Sequence, residues 1–257
     1  MTEQRPDFTA FRERLLTRQR MFGTFLKLPT TQVVEILGAI GYDFVVIDQE
    51  HAALGRDITD LMIFAARASN IAPVVRIAEF SEANILSALD SGAMGIMVPH
   101  VNTVEKARAI ARSCRYKGGS RGFAGLTRAS NWGSVEAVHH MSLQDSQVAC
   151  IAMIEDFEAV DRTADIARVD GIDALFIGRG DLTAAYRGDP QAGIKVAETS
   201  RQIAAAAREA DIPLMMLPTS KADFNFAAEL GASAMLVSSD HGFIRSAAAA
   251  ALKEYSA

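Results

Sequence analysis

Eight times along this chain a short, almost wholly apolar segment gives way to a longer one with helical spacing, and that alternation constrains the fold more than any other feature. The strand-like segments cover 23–28, 44–50, 73–77, 95–101, 148–155, 174–177, 213–217 and 234–238. Helical patterns fill the intervals at 31–40, 59–69, 82–91, 103–114, 156–167, 194–210 and 221–230, and an alanine-rich helix at 244–255 closes the chain. Gly41, Gly92, Gly171 and Gly231 each lead a short turn from helix to strand, where glycine supplies the left-handed residue that stops a helix. Strands apolar on both faces belong in a parallel sheet covered by helices. Eight such repeats can close on themselves and leave no edge, so the sequence predicts an α/β fold, a (β/α)8 TIM barrel. An open doubly wound sheet is the alternative. It is weakened because Pro29-Thr30 follows the first strand, where a dinucleotide-binding fold places its glycine-rich turn.

The length of 257 residues suits one barrel domain, for which about 250 is typical. Phe8, Phe11, Leu15 and Leu16 follow helical spacing after a capping Asp7, so residues 1–22 are read as a segment carrying an N-terminal helix. Residues 23–240 form the barrel and 241–257 a C-terminal helix. A net charge of −5 without a basic block argues against nucleic acid as a partner. Cys114 and Cys150 are the only cysteines, too few for a disulfide framework or zinc knuckle. No apolar run reaches membrane length, and the charged first residues lack the apolar core of a secretory leader, so a cytoplasmic protein is expected.

Ligands of barrel enzymes bind at the C-terminal ends of the strands, and there this chain concentrates its chemistry. Strand two ends Asp48-Gln49-Glu50-His51, strand three in Arg76, strand five in Glu155, and strand six leads to Asp181. Glu155 and Asp181, closing neighbouring strands, suit a hard divalent ion that keeps room for water and substrate, although each acid could instead cap the helix that follows it. Arg76 offers a planar cation to a carboxylate or a developing oxyanion. His51, with Asp48 three residues earlier and Glu50 beside it, is a general-base candidate. His100 is placed near the pocket, Lys27 is weighed as a Schiff-base lysine, and Trp132 and Phe123 are read as packing residues of the long connection 115–147.

The segments Tyr42-Asp43-Phe44 through Asp48-Gln49-Glu50-His51, Pro73 to Arg76, Gly92-Ala93 with Val98-Pro99, Arg121-Gly122 with Arg128-Ala129 and Trp132-Gly133, and Gly171 to Gly178 with Asp181-Leu182 resemble, in order, the HpcH/HpaI aldolase/citrate lyase family. The resemblance implies a class II, metal-dependent pyruvate aldolase acting on 4-hydroxy-2-oxo acids, with a 2-oxo acid and an aldehyde as small-molecule partners. It implies Mg2+, Mn2+ or Co2+ as cofactor and a homo-oligomer, commonly a hexamer with the last helix exchanged between subunits. By the same resemblance Glu155 and Asp181 are metal ligands, Arg76 stabilises the transition state and His51 accepts the proton. Asp90 raises that histidine's basicity, Asp48 is a further acid near it, and the backbone of Gly180 and Asp181 meets the substrate carboxylate. Since Asp90 ends the helix feeding strand four, it is expected to reach His51 of a neighbouring subunit. Two departures stand out. Met153 occupies a position where the family usually has glutamine near the substrate, and Arg179-Gly180 replaces the commoner Pro-Ala. A CoA-ester lyase of the citrate lyase type and a Schiff-base aldolase using Lys27 are the competing enzymes.

Overall fold

The computed structural model describes residues 6–256. The charged residues 1–5, on which the expectation of no secretory leader rests, and Ala257 lie outside the described residues. Eight parallel strands close into a barrel in sequence order: Met21–Leu26 (β1), Phe44–Asp48 (β2), Ala72–Arg76 (β3), Gly95–Val98 (β4), Ala149–Ile154 (β5), Ala174–Ile177 (β6), Leu214–Met216 (β7) and Ala232–Ser239 (β8). No helix among the described residues is long and apolar enough to cross a membrane.

Side-chain alternation splits the strands between two cores. Phe44 and Val46 of β2, Val74 of β3, Ile151 and Met153 of β5 and Phe176 of β6 fill the barrel interior. Val45, Ile47, Val75, Cys150 and Leu175 face the surrounding helices. A glycine on β1 makes room for the largest interior ring, since a Cβ at Gly23 would overlap Phe44. The N-terminal helix Phe11–Leu16 (α1) plugs the bottom. Its Phe11 and Leu15 are buried in the interior cluster, with the Phe11 ring 5.3 Å from that of Phe44. Each such burial contributes roughly 1.5–3 kcal/mol. Asp7 caps the preceding turn by accepting from the Thr9 N–H, as the sequence predicts.

Helices Thr31–Ile40 (α2), Arg56–Ala68 (α3), Glu82–Asp90 (α4) and Val104–Ser113 (α5) cover the first half of the barrel. Gly41, Gly92, Gly171 and Gly231 all adopt positive φ, between 91° and 106°, at the expected helix stops. Two readings are corrected. The helix expected over 156–167 is two short pieces, Phe157–Val160 (α7) and Thr163–Ala167 (α8). Arg162 N–H closes a tight turn onto the Ala159 carbonyl, which also accepts the Thr163 hydroxyl, so α7 stops there. The long connection contains a helix, Ala137–Gln147 (α6), whose sequence shows little apolar stripe because only His140 and Gln144 are buried. Trp132 and Phe123 are largely exposed on that connection, yet they pack on one face, Phe123 against the rings of Tyr116 and His140 and Trp132 against Arg128. Arg179–Ala185 (α9), Ala192–Glu209 (α10), Lys221–Glu229 (α11) and the largely exposed Asp240–Tyr255 (α12) complete the chain.

Candidate active site

Alternation also decides which strand ends face the interior. Phe44 and Val46 point inward, so Asp48 does too; Ala72 and Val74 carry Arg76 inward, and Ile151 and Met153 carry Glu155. The β2–β3 register then sets Asp48 directly opposite Arg76. Asp48 is fully buried and takes the guanidinium in a fork, Nε to Oδ1 at 2.9 Å and Nη2 to Oδ2 at 2.7 Å. Burial raises the Asp48 pKa, but the Arg76 bonds and charge outweigh it, and the net shift is downward. The same carboxylate accepts the backbone N–H of Glu50 and His51 and lies 3.2 Å from Lys27 Nζ. Asp48 therefore holds the main chain of His51 and the head of Arg76. Lys27 reaches the mouth as an ion-pair partner of Asp48.

Arg76 is further fixed by Phe25, whose ring centre is 4.7 Å from Cζ, and by Glu50 Oε2 at 2.9 Å from Nη1. The Glu50 contact is an ion pair without hydrogen-bond alignment, and Oε2 has no hydrogen-bond partner although it is buried. Next to it lies Glu155, only 3% exposed, whose Oε1 accepts the His100 backbone N–H at 2.8 Å. It caps no helix; Asp156 occupies the cap position of α7. Burial pushes the Glu155 pKa up to about 7, with the charges of Glu50 and Asp181 adding to the rise and His100 opposing it. His100 sits in the left-handed region at φ 55°, Nδ1 3.0 Å from Asp156 Oδ1 and Nε2 3.5 Å from Glu50 Oε1. Burial lowers its pKa, but Asp156, Glu155 and Glu50 together raise it.

One donor atom from each of Glu50, His100 and Glu155 lies within 4.8 Å of the other two. A desolvated carboxylate at pKa about 7, the Glu50 Oε1 that faces His100 and an imidazole form a donor set that a divalent cation fits. Glycine is required beside it, because a Cβ at Gly178 would overlap Glu155 Cβ and Oε2. Asp181, in the first turn of α9, is not one of the three clustered donors, although it faces Glu155 closely enough to affect its charge.

Arg76, Glu155 and Asp181 open into a cleft of about 620 Å³ that also includes His51, Met153 and Gly180. Met153 forms part of its floor, 1% exposed, with Phe25 and Phe176 stacked edge to face nearby. Gly180 has open space where a Cβ would stand. His51 is half-exposed at the rim, Nε2 3.9 Å from Glu50 Oε2. Arg179, the departure from Pro-Ala, forks onto Asp223 of α11 and donates to the Leu217 carbonyl at 2.7 Å, strapping the start of α9 to the ends of β7 and α11. That pair draws the Asp223 pKa down to about 2.

Asp90 stands apart. α4 carries it back to the N-terminal side of the barrel, where Arg121 Nη2 lies 3.7 Å from its Oδ1, which has no hydrogen-bond partner among the described residues. Burial raises its pKa, with Arg121 opposing. No contact with His51 is present among the described residues of the single chain.

Glu50 and His100 were not among the expected metal-site residues. Glu50 was legible, since it continues the inward parity of 44, 46 and 48. His100 was read as lying near the pocket, but not as a member of the donor cluster, because the left-handed turn after β4 is what brings its ring there.

The model of the HpcH/HpaI aldolase/citrate lyase family matches residues 21–247. The chain is 29% identical to a hydroxypyruvate/pyruvate aldolase of Sagittula stellata over 96% of this chain and 97% of that one. It is 35% identical to a 2-keto-3-deoxy-L-rhamnonate aldolase of Shigella sonnei over 78% of this chain and 77% of the relative. Among solved structures, an HpcH/HpaI aldolase/citrate lyase family protein from Burkholderia cenocepacia superposes with a TM-score of 0.89 at 27% identity, covering 97% of this chain and all of that one.

Proposed function

The chain belongs to the HpcH/HpaI aldolase/citrate lyase family and is a class II aldolase, a carbon–carbon lyase, and we propose that it makes or cleaves 4-hydroxy-2-oxo acids by way of a pyruvate-type or hydroxypyruvate-type enolate and an aldehyde. The observation that carries this reading is the buried guanidinium of Arg76, held by Asp48 and aimed into the same cleft as the desolvated carboxylate of Glu155.

Glu155 and Asp181 would hold the divalent ion, Mg2+, Mn2+ or Co2+, which when bound withdraws electrons from the keto group and makes carbon three acidic. Arg76 has five N–H donors. Asp48 takes two and Glu50 faces a third, which leaves one each on Nη1 and Nη2 for the oxygen that gains charge as the enolate forms. Asp48 keeps that fork from turning, so little reorganisation is needed as the charge appears. His51, at the wet rim, takes or returns the proton at carbon three through a water. The backbone of Gly180 and Asp181 receives the substrate carboxylate, and the apolar side chain of Met153 confines the reacting carbon. Among the described residues the cleft is lined by no lysine or arginine besides Arg76 and the neutralised Arg179, which favours an unphosphorylated aldehyde. Asp90 acts on His51 of a neighbouring copy in a homo-oligomer, a role supported by its half-buried carboxylate with an unbonded oxygen.

Exchange of pyruvate methyl protons in D2O, with and without Mn2+, tests the reading. Exchange that needs the ion and is lost in Glu155→Ala is expected. Undiminished exchange after metal removal, or covalent trapping of pyruvate on Lys27 by borohydride, would refute it.

A further inference from the structure

We propose that the imidazole of His100 is a nitrogen ligand to the divalent ion held at Glu155, with Glu50 beside it, so that the centre mixes nitrogen and oxygen donors. The inference rests on the function proposed above, because the ion concerned is the one assigned to Glu155 and Asp181. Ligands about 2.1 Å from an ion stand about 3.0 Å apart at right angles and about 4.2 Å apart across it. The 3.5 Å between His100 Nε2 and Glu50 Oε1 falls inside that range, and one donor from each of Glu50, His100 and Glu155 lies within 4.8 Å of the others, so a small inward movement of the side chains brings all three onto one ion.

The ring is also prepared for this role. In this assignment a proton sits on Nδ1, 3.0 Å from Asp156 Oδ1, and Nε2, 3.5 Å from Glu50 Oε1, goes to the ion, which takes the place of the proton that the surrounding acids favour there. A carboxylate behind the far nitrogen is how protein sites orient a metal-binding histidine. The left-handed backbone at φ 55° makes one residue serve twice, its N–H bonded to Glu155 Oε1 at 2.8 Å and its ring beside the same oxygen, Nδ1 at 3.7 Å. Lys106 braces the turn by donating to the His100 carbonyl at 2.7 Å. Glu50 divides its carboxylate, Oε2 facing the Arg76 guanidinium at 2.9 Å and Oε1 turned to the His100 ring, which leaves Oε1 as the donor for the ion. A nitrogen donor moves preference away from Mg2+, which favours an all-oxygen shell, toward Mn2+ and still more Co2+.

The test uses the full chain stripped of metal and reloaded with Mn2+ or Co2+ alone. Pulsed electron paramagnetic resonance of the Mn2+ form should show nitrogen coupling from a bound imidazole. The coupling should vanish in His100→Asn, chosen because asparagine tolerates the left-handed backbone. The Co2+ to Mg2+ affinity ratio should fall about tenfold or more in that variant, and Asp156→Asn should lower Co2+ affinity by about 10–100-fold. Wild-type Mn2+ without nitrogen coupling, or coupling that survives His100→Asn, overturns the assignment. If Glu155→Gln still abolishes Mn2+ binding in that case, the proposed function stands without it. Mn2+ binding indifferent to Glu155→Gln overturns both.

Discussion

Glu155 gives a prediction whose size follows from the site. In the metal-free chain its pKa is pushed up to about 7 from an ordinary 4.5, chiefly by burial. Below pH 4.5 the group is protonated in both folded and unfolded chains, and stability carries no penalty. Between 4.5 and 7 the unfolded chain ionises while the folded one keeps its proton, so stability falls by about 1.4 kcal/mol per pH unit. Above 7 the whole penalty is present, about 3 kcal/mol. Glu155→Gln replaces the acid by a neutral group of the same shape, so it should stabilise the metal-free protein by about 3 kcal/mol at pH 8 and by less than about 1 kcal/mol at pH 5. Urea titrations of both proteins at the two pH values, in a chelator, measure the difference. Saturating Mn2+ should then reverse the order at pH 8, since only the wild type gains binding free energy in the folded state. Equal stability at pH 8 without metal would refute the assignment of Glu155 as a buried carboxylate held without its counter-charge.

Other expectations follow from the same contacts. Asp48→Ala leaves the Arg76 guanidinium buried beside Glu50 alone and should cost about 3–5 kcal/mol near neutral pH. Because the Asp48 pKa is lowered by folding, that contribution is present above its unfolded value and disappears as pH falls through the folded one; wild type and variant should converge in strong acid, as urea midpoints would show. Gly178→Ala drives a methyl into Glu155 and should weaken Mn2+ binding about tenfold or more, measured by calorimetry, with the circular dichroism spectrum kept. Mixed oligomers of inactive Asp90→Ala and His51→Ala chains should regain part of the activity, because some sites would then pair an intact His51 with an intact Asp90 from the neighbour. Proven mixed oligomers with no rescue would remove Asp90 from catalysis.

The barrel and half of the site were legible because both depend on local periodicity. All eight strands were recognisable as apolar runs bounded by helical spacing, and their glycine stops took the expected conformation. Errors fell where a local pattern was weak or interrupted. α6 carries almost no apolar face, and the helix over 156–167 is broken by a hydroxyl and a tight turn that composition does not reveal. Arg179 illustrates a different limit. Its departure from Pro-Ala pointed toward the substrate, yet its guanidinium is spent on Asp223 and the Leu217 carbonyl.

By itself the sequence determined that strands of period two would turn Asp48, Arg76 and Glu155 toward the interior at their C-terminal ends, since that parity is a property of each strand alone. Only closure of the barrel decided that Asp48 would grip Arg76, through the register of β2 against β3. Only the left-handed turn after β4 decided that His100 would stand with Glu50 and Glu155, three residues from three separate strand ends. Distances across a barrel mouth are fixed by how the strands tilt, pair and close, and no segment read in isolation contains them.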